Sequence, residues 1–366
     1  MSDFQNLQTS AAWQGLIETM GTMGKMIIGP NGANSELDAL EGYRVLLRTL
    51  CVATETVFDG CPERPFFTRL DTAVRKVGGD NPDGEYFSTL IDGQYRYKVW
   101  GHRGSVPYLA FTIRGSKGNP QVGGTMAGGA EVVAHFNQDD INVDEDGNFC
   151  FILSSEQPQE KVQWIEVPRG ATTILVRQFM DDRNKEQLAT LNIECLNHPP
   201  VPQVNDELLS NRLNMCSLIF AYLGSLGQDF LPETKEHPNT LLSFEGSQAG
   251  FAASPDNYYL NGWYEVNDDE ALVIEGTPPD CHYWAFQIAS RWWECFDYMH
   301  RQISLTPSRL HLDDNKQFKI VLAHHNPNCP NWVDLANHQQ GYMLFRWTSP
   351  TSMPQPHCRL VKLSEL

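Results

Sequence analysis

The feature that most constrains the fold of this chain is an internal repeat. Residues 95–113 read YRYKVWGHRGSVPYLAFTI, and residues 270–288 read EALVIEGTPPDCHYWAFQI. Identical residues recur at matching positions in the two halves: Gly101 and Gly276, Ala110-Phe111 and Ala285-Phe286, Trp164 and Trp332, and Arg177 and Arg346. The sequence therefore predicts one structural unit that occurs twice. Two β regions that share only generic alternation are the alternative.

Short strands separated by turns are predicted in both halves. Aromatic and β-branched residues occur between closely spaced turn residues, which is typical of a sandwich or barrel. In the first half the predicted strands are 95–99, 107–113, 131–136, 149–154, 162–166, 171–179 and 188–195. We predict an α+β fold, mainly β, with two related antiparallel β-sandwich or jelly-roll-like units, each preceded by helices.

Helical periodicity precedes each β region. Apolar residues at helical spacing predict helices over 10–27, from Ser35 to near Gly60, and from Asn205 or Asp206 to about Leu226. The run HPPVP at 198–202 is typical of a stiff linker. The predicted segments are an N-terminal helical segment at 1–78, a first β unit at 79–197, a linker and helix at 198–255, and a second β unit at 256–366.

Charge and cysteine content restrict the partners and the compartment. The formal net charge of −18 disfavours nucleic acid and anionic membranes, because an acidic surface repels both. No apolar stretch approaches the roughly 20 residues of a membrane span, and the N-terminus lacks a secretory pattern. Nine cysteines without a CxxC pair indicate a reducing compartment. We expect a cytoplasmic protein with a small-molecule ligand and no nucleic-acid or membrane partner, and the sequence leaves a homo-oligomer open.

The C-terminal third carries a set of short motifs: Glu270-Ala271-Leu272-Val273-Ile274-Glu275, Trp284, Trp292 with Asp297-Tyr298, Ala323-His324-His325-Asn326-Pro327, Pro330-Asn331-Trp332, and Gly341 with Arg346-Trp347. In these motifs the chain resembles the bacterial family called domain of unknown function 1214. The first half resembles the region that accompanies this family: Asp80-Asn81-Pro82-Asp83, Tyr95-Arg96 and Val176-Arg177-Gln178-Phe179 with Asp181.

The resemblance covers most of residues 80–366. It implies β-sandwich domains and supplies no catalytic residue. At 326–328 the chain has Asn-Pro-Asn where the family often has Asp-Pro-Gly, so we expect no role that needs an acid at position 326.

The candidate catalytic residues lie in the second half. His324 or His325 is predicted as a general base, and Asp297 and Tyr298 are predicted to position the substrate. On a helix, residues 294, 297, 298 and 301 would share one face. The candidate substrate-binding residues are Trp292, Trp293, Arg301, Asn331, Trp332, Arg177 and Arg346. A turn histidine and an ion network between domains are the alternatives.

Arg177 and Arg346 lie inside apolar strands at equivalent positions of the two repeats. A buried arginine either pairs with a buried carboxylate or faces a ligand. Their recurrence in both halves favours a structural pairing, and contact with a ligand stays open.

Two acidic segments are candidates for a divalent metal. Carboxylates in these segments could bind Mg²⁺: Asp80, Asp83, Asp181, Asp182 and Glu186. A turn for the first two residues and an exposed charged hairpin for the others are the alternatives.

The best-known cofactor and hydrolase motifs do not occur in this sequence. We find no GxSxG, Walker loop, Rossmann fingerprint or HExxH, and the glycine-rich run at 123–129 is predicted to connect strands. No cofactor is identified, with Mg²⁺ as the open case. We expect an enzyme that acts on a neutral or apolar metabolite by acid/base chemistry, of hydrolase, lyase or isomerase type. The alternatives are a noncatalytic carbohydrate- or lipid-binding module and a metal-dependent enzyme for a phosphorylated or isoprenoid substrate.

Overall fold

The computed structural model describes residues 6–58, 60–117, 130–228, 231–245 and 253–366. The glycine-rich run at 123–129 lies outside these residues. The helices are α1 (Gln8–Ile27), α2 (Glu36–Phe58), α3 (Asp206–Ser225) and α4 (Glu233–Glu236). The three long helices match the predicted ones, and Asn205 caps α3 by accepting a hydrogen bond from the Leu208 amide at 2.8 Å.

The strands form two units that we call the first unit and the second unit. The first unit contains β1 (Thr68–Arg69), β2 (Gly84–Leu90), β3 (Tyr97–His102), β4 (Tyr108–Ser116), β5 (Glu131–Asn137), β6 (Asn148–Ser154), β7 (Gln163–Glu166), β8 (Gly170–Phe179) and β9 (Asn192–Cys195). The second unit contains β10 (Thr240–Glu245), β11 (Asn257–Glu265), β12 (Glu270–Gly276), β13 (Tyr283–Ala289), β14 (Ser304–Leu305), β15 (Phe318–Ala323), β16 (Trp332–Asp334), β17 (Gln340–Thr348) and β18 (His357–Lys362).

The two units have the same topology, which confirms the predicted duplication. The first has sheets β1-β2-β8-β4-β5 and β7-β6-β3-β9, and the second has β10-β11-β17-β13-β14 and β16-β15-β12-β18. The register is also repeated. Arg177 lies between Tyr86 and Ala110, and Arg346 lies between Tyr259 and Ala285 in the same way.

The predicted mainly β fold with two sandwich units is confirmed, with two refinements. Each four-stranded sheet contains one parallel pair, β6 with β7 and β15 with β16, so pairing is not antiparallel throughout. The edge strands β1 and β10 precede residues 79 and 256, where we predicted the β units to begin. β1 and β10 belong to the sheets because they pair with β2 and β11. No local sequence pattern predicts this pairing.

The units pack against each other through their five-stranded sheets. Side chains of a strand alternate between its two faces, so Phe111 enters the core of the first unit while Tyr108 points outward. Tyr108, Phe179 and Tyr283 form a buried aromatic row between the units, with ring centroids 4.9 and 5.1 Å apart. This packing explains why the central strands are buried on both faces.

Two aspartates at equivalent positions join the units reciprocally. Asp83, just before β2, accepts hydrogen bonds from Ser304 at 3.0 Å and Arg309 at 2.5 Å in the second unit. Asp256, just before β11, accepts one from Tyr108 of the first unit at 2.7 Å and lies 3.2 Å from His135. Such reciprocal contacts are those of two halves related by a pseudo-twofold axis.

The three long helices form a layer of their own beside the units. Apolar residues of α1, α2 and α3 pack together with Trp292, whose indole Nε1 donates to the Asp38 carbonyl at 2.7 Å. None of the described helices combines the length and the apolar character that crossing a bilayer requires.

Candidate functional site

A cavity of about 240 Å³ lies where the two five-stranded sheets face each other. The outer faces of both sheets form its wall, together with the C-terminal end of α3 and residues from the segment 70–80. Most of the lining is apolar, with a few polar and charged side chains among leucines and tyrosines. A largely apolar pocket with a few polar groups is the usual form of a small-molecule site.

The wall of this cavity follows the pseudo-twofold symmetry. The strand registers pair equivalent lining residues from the two units: Tyr86 with Tyr259, Ser88 with Asn261, Leu175 with Leu344, and Arg177 with Arg346. The symmetry is broken at Arg114, whose equivalent in the second unit is Ala289. The position of Asp80 is taken by Ala253, counted back from β2 and β11. The first unit therefore contributes two charged groups to the wall that the second unit does not match.

Arg346 is buried, with 4% of its surface exposed. Its Nη1 donates to Gln287 Oε1 at 3.2 Å, and its guanidinium lies over the rings of Phe179 and Tyr259. Among the described residues, Nε has no hydrogen-bond partner and no carboxylate forms an ion pair with Arg346. The recurrence of an arginine in both repeats favoured pairing with a buried carboxylate, and Arg346 does not form such a pair with any described residue.

Arg177 and Arg114 bring two more guanidinium groups to the wall. Arg177 donates to Thr112 Oγ1 at 2.8 Å, the counterpart of the bond from Arg346 to Gln287. Burial and the neighbouring Arg177 lower the pKa of Arg114 to about 10, so the group remains a cation at neutral pH.

Two carboxyl groups, those of Asp71 and Asp80, line the same cavity. Asp71 is 7% exposed and forms no hydrogen bond or ion pair with any described residue. Burial, together with the carboxyls of Asp80 and Glu85, raises its pKa well above the ordinary value. Burial also raises the pKa of Asp80, although Lys76 acts in the opposite direction. One oxygen of Asp80 accepts the Cys295 amide at 2.7 Å, and the other has no partner among the described residues.

Trp293 lines the cavity in a strained backbone conformation, with a φ of 64°. A bulky residue rarely adopts this conformation, and such residues cluster at functional sites. Its carbonyl accepts the Gly79 amide at 2.7 Å. Gly79 has a φ of 79°, and a Cβ there would collide with the Trp293 indole. A glycine at this position lets the segment 70–80 approach Trp293.

The predicted catalytic histidines lie away from this cavity. His324 follows β15, and its Nε2 is 3.0 Å from the Val266 carbonyl, while His325 is exposed. Asn331 bonds the backbone of His311 and Lys319, and Trp332 Nε1 donates to the Ala323 carbonyl. These bonds account for His324, Asn331 and Trp332 as parts of the second unit's framework.

The helix on which residues 294, 297, 298 and 301 would share one face is not formed, because this segment forms turns and one isolated bridge. Its side chains therefore separate instead of sharing a face. Asp297 is exposed beside His300, and Arg301 pairs with Asp334 at 2.7 Å. Tyr298 lies 4.6 Å from the Lys76 ammonium. Among the candidate site residues between positions 292 and 301, only Trp293 lines the cavity.

The five acids predicted as a metal site do not come together. Asp83 is held by Ser304 and Arg309, Asp182 pairs with Lys185 at 2.8 Å, and Glu186 accepts the Asp181 amide at 2.7 Å. In the part of the chain that the structure describes, no three metal-ligating side chains form a group. The expectation of an Mg²⁺ site at these residues is therefore corrected.

Several lining residues were not predicted from the sequence, namely Asp71, Arg114, Tyr222, Tyr259 and Asn261. The internal repeat contained one sequence pattern that indicates lining residues of the cavity. Arg177 and Arg346 were visible as a pair, and strand pairing around them would have placed Tyr86 and Tyr259 beside the two arginines.

No family model matches the chain, and no curated protein matches it. The crystal structure of an uncharacterized protein from Burkholderia cenocepacia has the same fold, with a TM-score of 0.90 and 26% identity over 97% of this chain and 98% of that chain. A protein from Vibrio parahaemolyticus is 11% identical over 88% of this chain and 97% of that chain, with a TM-score of 0.49. The fold is thus shared with a known structure, and the resemblance to the family of unknown function 1214 stays a prediction.

Proposed function

We propose that the protein is an enzyme that applies acid/base chemistry, without a cofactor, to a small, largely apolar metabolite in the cavity between the units. The Asp71 carboxyl carries this proposal, because it lines the cavity without a hydrogen-bond or ion-pair partner among the described residues. Burial raises the pKa of this carboxyl well above its ordinary value, and a raised pKa suits a carboxyl to act as a general acid or base. Hydrolytic, eliminative and isomerising reactions all need such a group.

Asp80 supports the same proposal. Two carboxyls that share a buried site resist simultaneous ionisation, so one of them retains its proton. The raised pKa of Asp71, to which Asp80 contributes, agrees with this behaviour. Asp71 is therefore our candidate for proton transfer, and Asp80 for keeping Asp71 protonated.

Noncatalytic binding is the alternative that a specific observation favours. The wall is mostly apolar, which suits a lipid-like ligand better than a carbohydrate, since sugars need many polar partners. A metal-dependent reaction on a phosphorylated or isoprenoid substrate has no supporting cluster in the described residues.

The test is a reaction screen of the full chain in D₂O. Wild-type protein is incubated with a panel of aromatic and branched aliphatic metabolites, and mass spectrometry records turnover or deuterium incorporation. Asp71→Asn keeps the size of the side chain but removes its titratable carboxyl group. We expect it to slow the reaction about 100-fold or more, the contribution typical of a general acid or base. Asp139→Asn, at a carboxylate that is 63% exposed, is the matched control.

Full activity in Asp71→Asn would contradict the role of Asp71. Ligand binding by wild-type protein without turnover or exchange across the panel would favour the noncatalytic alternative.

We further propose that the protein works in the cytoplasm, since all nine of its cysteines are free thiols. Its acidic charge supports the proposal that neither nucleic acid nor anionic membranes are partners. A homo-oligomer remains a prediction.

A further inference from the structure

We propose that the metabolite carries a carboxylate, which binds the guanidinium group of Arg346 inside the cavity. This inference rests on the proposed function, because it concerns the same cavity and names the chemical class of its ligand. It also departs from the neutral or apolar ligand that the sequence led us to expect.

The electrostatic environment of Arg346 is the first reason. An arginine cannot lose its proton in a protein at ordinary pH, and burying its charge is costly unless a partner compensates. Arg346 is 4% exposed, yet the groups against it are uncharged: the Gln287 side-chain oxygen, the Tyr259 hydroxyl and aromatic rings. Its Nε has no partner among the described residues. A ligand carboxylate would compensate this charge.

The acids of the cavity do not fill this role. Neither Asp71 nor Asp80 forms an ion pair with Arg346, and burial raises the pKa of both carboxyls. The other side chains facing Arg346 are those of Tyr86, Tyr259 and Tyr283, and none of them carries a carboxylate. The positive charge of Arg346 therefore stays available to a ligand.

The surroundings of Arg346 indicate the rest of the ligand. Burial and the neighbouring Arg177 lower the pKa of Arg114. An anion in the cavity would offset the repulsion between these two positive charges. Leucines and tyrosines supply most of the remaining wall. A planar guanidinium beside an apolar space suits an aromatic or branched aliphatic carboxylic acid.

Calorimetric titration of the full chain with two probes of nearly equal shape tests the inference. The probes are 3-phenylpropionate, an anion, and 3-phenylpropanamide, its neutral amide. We expect wild-type protein to bind the acid at least about tenfold more tightly, since hydrogen bonds to charged groups are the stronger ones. Arg346→Gln should remove this preference, and Arg346→Lys should keep part of it.

Arg359→Gln is the matched control, because it removes one positive charge from an exposed side chain on β18. Circular dichroism checks that each variant is folded, and the comparison of probes on wild-type protein needs no variant at all. Leu175→Trp, which fills the cavity, should abolish binding of both probes.

The outcomes separate this inference from the proposed function. Equal affinity of wild-type protein for both probes would overturn the proposal that a ligand carboxylate binds Arg346. An unchanged preference for the acid in folded Arg346→Gln would overturn it as well. Both results would leave the cavity as a binding site. Failure of both probes to bind, or binding that Leu175→Trp does not affect, overturns the cavity as the site and the proposed function with it.

Discussion

At the scale of single residues, the buried charges of this protein fall into two groups. Some are paired across an interface, as Asp83 is with Arg309 and Glu294 is with Arg48 of α2 at 2.6 Å. Others, such as Arg346, face the cavity without a charged partner among the described residues. Burying an uncompensated charge costs several kcal/mol. We therefore expect a ligand to bind the second group.

Glu294 predicts a measurable pH dependence of stability. Burial raises its pKa from 4.5 to about 7 despite Arg48, so the folded protein holds this proton more tightly than the unfolded chain. Its contribution to the free energy of unfolding is then largest below pH 4.5 and falls as the pH rises through about 7. Urea unfolding across this range should show wild-type protein losing about 3 kcal/mol relative to Glu294→Gln.

The control for this measurement is Glu166→Gln, which changes an exposed glutamate. Parallel pH profiles of wild-type protein and Glu294→Gln would show that the pKa of Glu294 is not raised in the folded state.

At the scale of elements, the contact between the segment 70–80 and the turn at Trp293 sets one side of the cavity. Gly79 and Trp293 both have positive φ angles, and their backbones are hydrogen-bonded. Strain of this kind persists only where the surrounding packing enforces it. The contact therefore links the segment that carries Asp71 and Asp80 to the second unit.

Replacing glycine by alanine should have opposite effects at two positions. Gly79→Ala should destabilise the protein by about 2 kcal/mol or more, because alanine disfavours positive φ and its Cβ would meet the Trp293 indole. Gly21→Ala, in the open interior of α1, should stabilise it by about 0.5–1 kcal/mol. Urea unfolding measures both changes, and tryptophan fluorescence should report a shift for Gly79→Ala alone. A neutral Gly79→Ala would contradict the contact.

The sequence predicted the elements better than it predicted the site. Periodicity revealed the long helices and most strands, because each pattern is local. The helical face considered for residues 294, 297, 298 and 301 does not form, since contacts with Asp80, Arg48 and Gly79 determine the shape of the surrounding turn. His324 and His325 were predicted as catalytic because imidazole is a common general base. The cavity, however, is lined by residues such as Asp71 and Arg346 that are far apart in the chain. Of the residues singled out from the sequence, Arg177, Arg346, Trp293 and Asp80 line the cavity, and the repeat pointed to the two arginines.

At the scale of the whole molecule, the two units depend on each other. The outer faces of their five-stranded sheets are buried by the opposite unit, and the reciprocal contacts of Asp83 and Asp256 cross this interface. A unit standing alone would expose Tyr108 or Tyr283, each at most 2% exposed in the full chain. The cavity between the units therefore exists only in the assembled chain.

This dependence predicts one cooperative unfolding transition for the full chain. Far-ultraviolet circular dichroism, which follows the strands, and near-ultraviolet dichroism, which follows the buried aromatic rings, should give coincident curves in urea. Two separate transitions would mean that the units are independently stable and that the interface contributes little.

The most direct test of the account is a crystal structure of the full chain with 3-phenylpropionate. The account predicts the ring between Tyr86 and Tyr259, with the carboxylate within hydrogen-bonding distance of Arg346. A cavity without the acid, or the acid bound on the outer surface of either sandwich, would contradict the claim that the space between the two units is the binding site.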